Sequence, residues 1–207
     1  MSFFPRALAP IFIVILCVIA PTGAMAQRTA TGGTAFEQEP PPPKMLKPGK
    51  WTGPEVPGTK AVLLDDGTAA APAEAPEQVK QAIWAANALQ ELPYLYGGGH
   101  NLEFDVSDGA DCSGTVSFAL KAAQVLTSPL DSGSFMRWGE KGKGRWITVF
   151  TNPGHAYVKI AGLRLDTSMA GMSRTRDFAA SVFEAGPRWR PAGRSPRGFV
   201  KRHPLSF

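Results

Sequence analysis

From Pro76 to Leu92 the chain reads PEQVKQAIWAANALQEL, with Val79, Ile83, Ala86 and Leu89 at helical spacing behind a Pro-Glu start. The pattern predicts a helix that stops before Pro93. A second helix is predicted to open at Cys112, because Val116, Ala119, Leu120 and Ala123 then recur at i, i+3, i+4 and i+7. Between them lies YLYGGGHNLEFDVSDGA, a loop whose three consecutive glycines permit tight backbone geometry. LDSGSFMRWGEKGKG reads as a polar connection in which Phe135 and Trp138 are expected to be buried. The period then changes: residues 145–151, 155–162 and 163–168 are rich in β-branched and aromatic side chains and read as strands. Asn152-Pro153-Gly154 turns the first into the second, and Gly162 marks the next turn. Helices followed by an antiparallel meander predict an α+β fold. The basic tail is irregular, with a last short strand expected at 198–202.

Ahead of Pro76 the periodicity disappears. Residues 27–75 are crowded with Pro, Ala, Gly and Thr, and EQEPPPPKMLKPGK in their midst is an extended polyproline stretch. They are expected to form a disordered linker, leaving 76–207 as the folded domain; KAVLLDDG (60–67) is an apolar patch able to dock on it. Residues 1–26 have the marks of a secretory signal peptide: Arg6, a short apolar run, and Ala24-Met25-Ala26 as a small-x-small cleavage site. That run is shorter than the roughly 18 residues of a spanning helix, so no membrane span is expected after cleavage. The expected location is outside the cytoplasm, either periplasmic or extracellular and associated with the cell wall.

The formal charge of +5 suits an anionic envelope or plain solubility. No basic helix interleaved with aromatics is present, so no nucleic-acid partner is expected. Cleavage would remove Cys17 and leave Cys112 as the single thiol of an exported chain. Such a thiol pairs between molecules, is inert and buried, or is reactive. Three scattered His and one Cys give no metal cluster, and no cofactor is expected.

A thiol in the first turn of a helix gains from the dipole and the unpaired N–H groups, which favour its anion. A Cys nucleophile also needs a base and a group that orients it. His203 stands near the end of the tail before a Pro, where solvation is expected. His100 lies in the glycine loop with nothing to fix its direction, whereas His155 begins a strand. If Ala161-Gly162 is a two-residue turn, Tyr157 faces Asp166, and His155 shares the face of Tyr157. Asp166 is then diagonal to His155, with backbones roughly 7–8 Å apart and side chains within reach. One more residue in the turn would send Asp166 to the other face. As a strand-face group beside a cleft, Asp166 is expected to be partly solvated.

The stretch PYLYGGGHNLEFDVSDGADCSGTVSFAL resembles the nucleophile region of the NlpC-like cell-wall peptidases, bacterial cysteine hydrolases of papain-like fold. Pro93, Tyr94, Tyr96, Gly97, Gly98, then Asp111-Cys112-Ser113-Gly114 and later His155 follow that family's order over roughly residues 78–170. The resemblance implies N-terminal helices, one carrying the Cys, packed on an antiparallel meander. It also implies Cys112 as nucleophile, His155 as base and Asp166 as orienting residue. Tyr94 would line the substrate cleft, and Asp111 with Ser113 would help bind the peptide end. Two features depart from the family pattern. GKGRWITVFTNPGHAY replaces a Pro-Gly-Asp-Leu stretch before the His strand, and the third residue is more often His, Asn or Gln. A carboxylate orients an imidazole equally well.

The function implied is a monomeric, exported endopeptidase that cuts amide bonds in peptidoglycan stem peptides. The alternatives are an amidase or acyltransferase on another envelope substrate, or a wall-binding module without catalysis. The tail arginines Arg188, Arg190, Arg194 and Arg197, with Lys201 and Arg202, are expected to form a solvated charged face. Trp138, Trp146 and Trp189 are expected in the core rather than along a cleft.

Overall fold

In the computed structural model, which describes residues 51–168, 186–191 and 193–206, the first predicted helix is α1, Glu77–Asn87. Glu77 supplies an acid in its first turn, and Val79, Ala82, Ile83 and Ala86 are buried. The second is α2, Cys112–Ala122, capped by Asp111. Nearly all of α2 is buried, which only a helix packed on several sides requires. Its small residues let neighbours approach. A Cβ on Gly114 would collide with the Gly98 carbonyl, so the glycine loop closes directly on the helix. Its buried hydroxyls find backbone partners: Thr115 Oγ1 donates to Asp111 O at 2.7 Å, and Leu130 N donates to Ser117 Oγ at 3.0 Å. A short α3, Ser132–Phe135, lies in the polar connection, and Phe135 is fully buried.

The folded chain begins earlier than residue 76. Strands β1 (Glu55–Val56), β2 (Val62–Leu63) and β3 (Ala69–Pro72) form a sheet of order β1-β3-β2, with β3 packed on α1. Residues 51–75 are therefore not linker. Their pattern hides this because Ala69, Ala70 and Ala71 are buried without any bulky period. Helix side chains complete the pairing. Asn87 accepts from Ala69 N at 2.8 Å and donates to Ala69 O at 2.9 Å. Gln81 does the same for Trp51, at 2.9 and 2.8 Å. The expected signal peptide, residues 1–26, and the rest of the expected linker, up to residue 50, lie outside the described residues.

The main sheet has order β4-β9-β5-β6-β7-β8 and is antiparallel throughout: β4 (Glu140–Lys141), β5 (Ile147–Asn152), β6 (His155–Ile160), β7 (Leu163–Asp166), β8 (Arg188–Arg190) and β9 (Val200–His203). The meander β5-β6-β7 follows the predicted turns. Ala161 and Gly162 both have positive φ, 47° and 96°, as a primed two-residue hairpin turn demands. Ile160 therefore faces Leu163 and Val158 faces Leu165, the register that puts Tyr157 opposite Asp166. The tail strand β9 enters the sheet between β4 and β5 instead of closing its edge. Helix α2 packs on β6 and β7, which brings its N-terminus to the start of β6. The fold is α+β. Among the described residues, no helix is long and apolar enough to cross a membrane.

Candidate active site

Asp111 is the residue on which the site's geometry rests. As N-cap of α2 its Oδ1 accepts from Gly114 N at 2.7 Å, and its Oδ2 accepts from Gly97 N at 3.1 Å. His100 Nε2 and Ser113 Oγ donate to the same Oδ1, at 3.0 and 3.2 Å. Burial opposes the carboxylate, but the bonds from His100, Gly114 and Gly97 outweigh it and lower the Asp111 pKa. The bond to Asp111 raises the His100 pKa against the effect of burial. Asp111 thus fixes the direction of His100, which the glycine loop alone leaves open. It also locks the loop to the helix that carries the thiol.

Cys112, half-buried, is the first residue of α2. Burial disfavours its thiolate and so does the Asp111 charge. The His155 hydrogen bond, the Ala156 backbone N–H and the imidazolium charge outweigh both, and the thiol titrates below its ordinary value. His155 opens β6, and its Nε2 donates to Asp166 Oδ1 at 2.9 Å. With Nε2 committed to Asp166, Nδ1 is the ring nitrogen left for Cys112. Burial pulls the His155 pKa down, yet its bonds to Asp166 and Cys112 and their charges push it up to about 9. Between the two titrations the pair exists as thiolate and imidazolium.

Asp166 ends β7, and its side chain is fully buried, not partly solvated. The strand register carries it under the tail, which the hairpin pattern alone does not foretell. Oδ1 also accepts from Ser168 N at 2.8 Å, while Oδ2 accepts from Arg194 Nη1 at 2.8 Å, with Arg164 Nη1 3.6 Å away. Burial raises the Asp166 pKa, but His155, Ser168 N and Arg194 bring it below the usual carboxylate range.

The thiol opens on a cleft of about 880 Å3. Tyr94 and His100 on the glycine loop, Ser113 on α2, Asp131 to Ser134 with Met136 and Arg137 around α3, and the Pro153-Gly154 turn wall it. Tyr94 is 40% exposed there, and burial with the nearby Cys112 and Asp111 charges raises its pKa. Asp111 and Ser113 also border the cleft, although their polar atoms are engaged as described. His203 sits on β9 opposite Glu140, its Nδ1 2.9 Å from the Pro204 carbonyl. Trp146 and Trp189 are buried in the core and Trp138 packs against it; none of the three lines the cleft. Among the described residues, no group of three His, Cys, Asp or Glu side chains is placed to hold a metal ion.

The sequence pattern missed the residues around Asp166. Arg194 and Arg190 are not a solvated face: Arg194 binds Oδ2, and buried Arg190 donates through Nε to Asp166 O at 3.2 Å. Arg188 donates to Leu92 O at 3.0 Å, whereas Arg197 is exposed as expected. The one available signal was composition, arginines interleaved with Trp189 and Phe199. The α3 wall had a clearer sign: Asp131 three residues before Ser134 is a capping pattern, with Ser134 N donating to Asp131 Oδ1 at 2.6 Å. No protein-family model matches the chain, and no curated protein matches it.

Proposed function

We propose that the protein is an exported cysteine hydrolase of papain-like, NlpC-type fold that cleaves amide bonds in peptidoglycan stem peptides. The observation that carries this reading is the line Cys112–His155–Asp166, with a lowered thiol pKa at a helix N-terminus that opens on a cleft. Thiolate Sγ attacks the amide carbonyl, and His155 Nδ1–H protonates the leaving amine, giving a thioester on Cys112. His155, now neutral, takes a proton from water, which attacks the thioester and releases the acid. The Cys112 backbone N–H, at the first helical position, has no intrahelical acceptor and is available to the oxyanion. Asp166 holds Nε2–H throughout, so Nδ1 always faces the sulfur. The wall as substrate rests on the family resemblance and on the export signal at the N-terminus.

Digestion of isolated peptidoglycan, with the fragments weighed, tests the reading. The parent chain is expected to release peptides cut within the stem, and Cys112→Ala to release none. Intact stems after prolonged digestion would overturn the wall-peptidase reading. Fragments cut at the sugar–peptide amide would instead favour an amidase of the same chemistry.

A further inference from the structure

The Asp166 carboxylate is shared between two elements far apart in the chain. Oδ1 faces His155 on β6; Oδ2 faces Arg194, on the segment that leads into β9. Arg194 is itself held. Its guanidinium carbon stands 5.0 Å from the ring centroids of both Tyr157 and Phe199, a cation between two aromatic faces. The Tyr157 and Phe199 rings meet edge to face at 5.1 Å, and Phe199 also meets the edge of the His155 ring at 6.2 Å. Arg194 Nη1 lies 3.3 Å from His155 Nε2. Both nitrogens carry hydrogens, so that approach is repulsion between cations, relieved by the carboxylate they share.

We propose that Arg194 is a positioning residue of this site: it holds the outer oxygen of Asp166 and takes up part of the carboxylate charge, so that the imidazolium of His155 stays acidic enough to give up its proton. The proposal rests on the catalytic reading of Cys112 and His155. An Asp166 free of Arg194 would give its whole charge to His155. The thiolate–imidazolium pair would then be more stable, but the proton would pass less readily to a leaving amine. The charged groups acting on His155 are Cys112 from α2, Asp166 from β7 and Arg194 from the tail; Arg164 on β7 stands behind Asp166. Removing one cation from this set raises the basicity of the ring. That is the opposite of what general loosening would do, since losing the bond to Asp166 lowers it.

The test is the NMR titration of the His155 ring in the full chain, comparing the parent with Arg194→Met, Arg194→Lys and Arg197→Ala. Arg194→Met is expected to titrate about one unit higher. Its kcat on the wall substrate should fall roughly tenfold with KM little changed. Arg194→Lys, which keeps the cation, should restore most of the parental titration, and exposed Arg197→Ala should match the parent. A Met variant that titrates with the parent, or lower, overturns the proposal. So does a folded Lys variant that titrates a full unit away, even if the Met variant fails to fold. Loss of the hydrolase reading would show separately, as absence of digestion by the parent chain.

Discussion

At the scale of single residues, the thiol of Cys112 is set by opposed effects of similar kind. Burial and the neighbouring Asp111 carboxylate both disfavour its anion; His155 and the Ala156 N–H favour it and win. Asp111 opposes weakly because four donors, one of them His100, already share its charge. Alkylation of Cys112 by iodoacetamide, followed against pH, should therefore show an inflection below 8.5, the value of a free thiol. In His155→Ala the inflection should move above 8.5, since burial and Asp111 are then left with less opposition. An unchanged inflection would mean that the imidazole does not hold the thiolate. Turnover should be limited on the alkaline side near pH 9, where His155 loses the proton it must donate. Asp111→Ala should cost about 1–2 kcal/mol of stability through the cap alone, measured by urea denaturation. It should cost more if Gly97 N and His100 find no other acceptor.

At the scale of elements, what was legible depended on how local its cause is. The hairpin register followed from two residues, Ala161 and Gly162, because a primed turn leaves no choice of pairing. The start of α2 near Cys112 followed from the apolar period Val116, Ala119, Leu120 and Ala123; that Asp111 caps it is what the structure adds. Strands β1–β3 were not legible, because each is only two to four residues long and β3 is held, besides its two neighbouring strands, by the Asn87 amide and the face of α1, which leave no period in the sequence. Alanines pack there for the closeness they allow, and closeness leaves no period. A chain beginning at residue 76 should consequently be much less stable than one beginning at residue 51. Removing residues 51–75 exposes the α1 face against which Ala69 and Ala71 pack, takes away the acceptor of Trp84 Nε1, and leaves Asn87 with Trp189 but without Ala69. Thermal melts of the two chains check this. Equal midpoints would mean that the N-terminal strands lie on the domain without supporting it.

At the scale of the whole molecule, the site is where chain-distant pieces meet: the α2 N-terminus, two strands, and a tail that returns to the middle of the sheet as β9. Asp166 joins them, a buried carboxylate among His155, Arg194 and Arg164. Its folded pKa lies below the ordinary value, so its contribution to stability is complete above about pH 4, the unfolded value. It is lost as pH falls through the folded value. The loss follows from protonation withdrawing the carboxylate charge that faces Arg194 and the His155 ring under the tail. Asp166→Asn lacks that charge at every pH. At neutral pH it should be destabilised by roughly 3 kcal/mol or more, the cost of stripping one partner from a buried pair. Its activity should fall as well, since an amide favours the wrong imidazole tautomer. Towards pH 3 the parent should lose stability faster than the variant, and the two denaturation curves should converge. If they instead stay parallel from pH 7 to pH 3, Asp166 does not ionise differently in the folded chain, and its carboxylate charge does not hold the tail to the sheet.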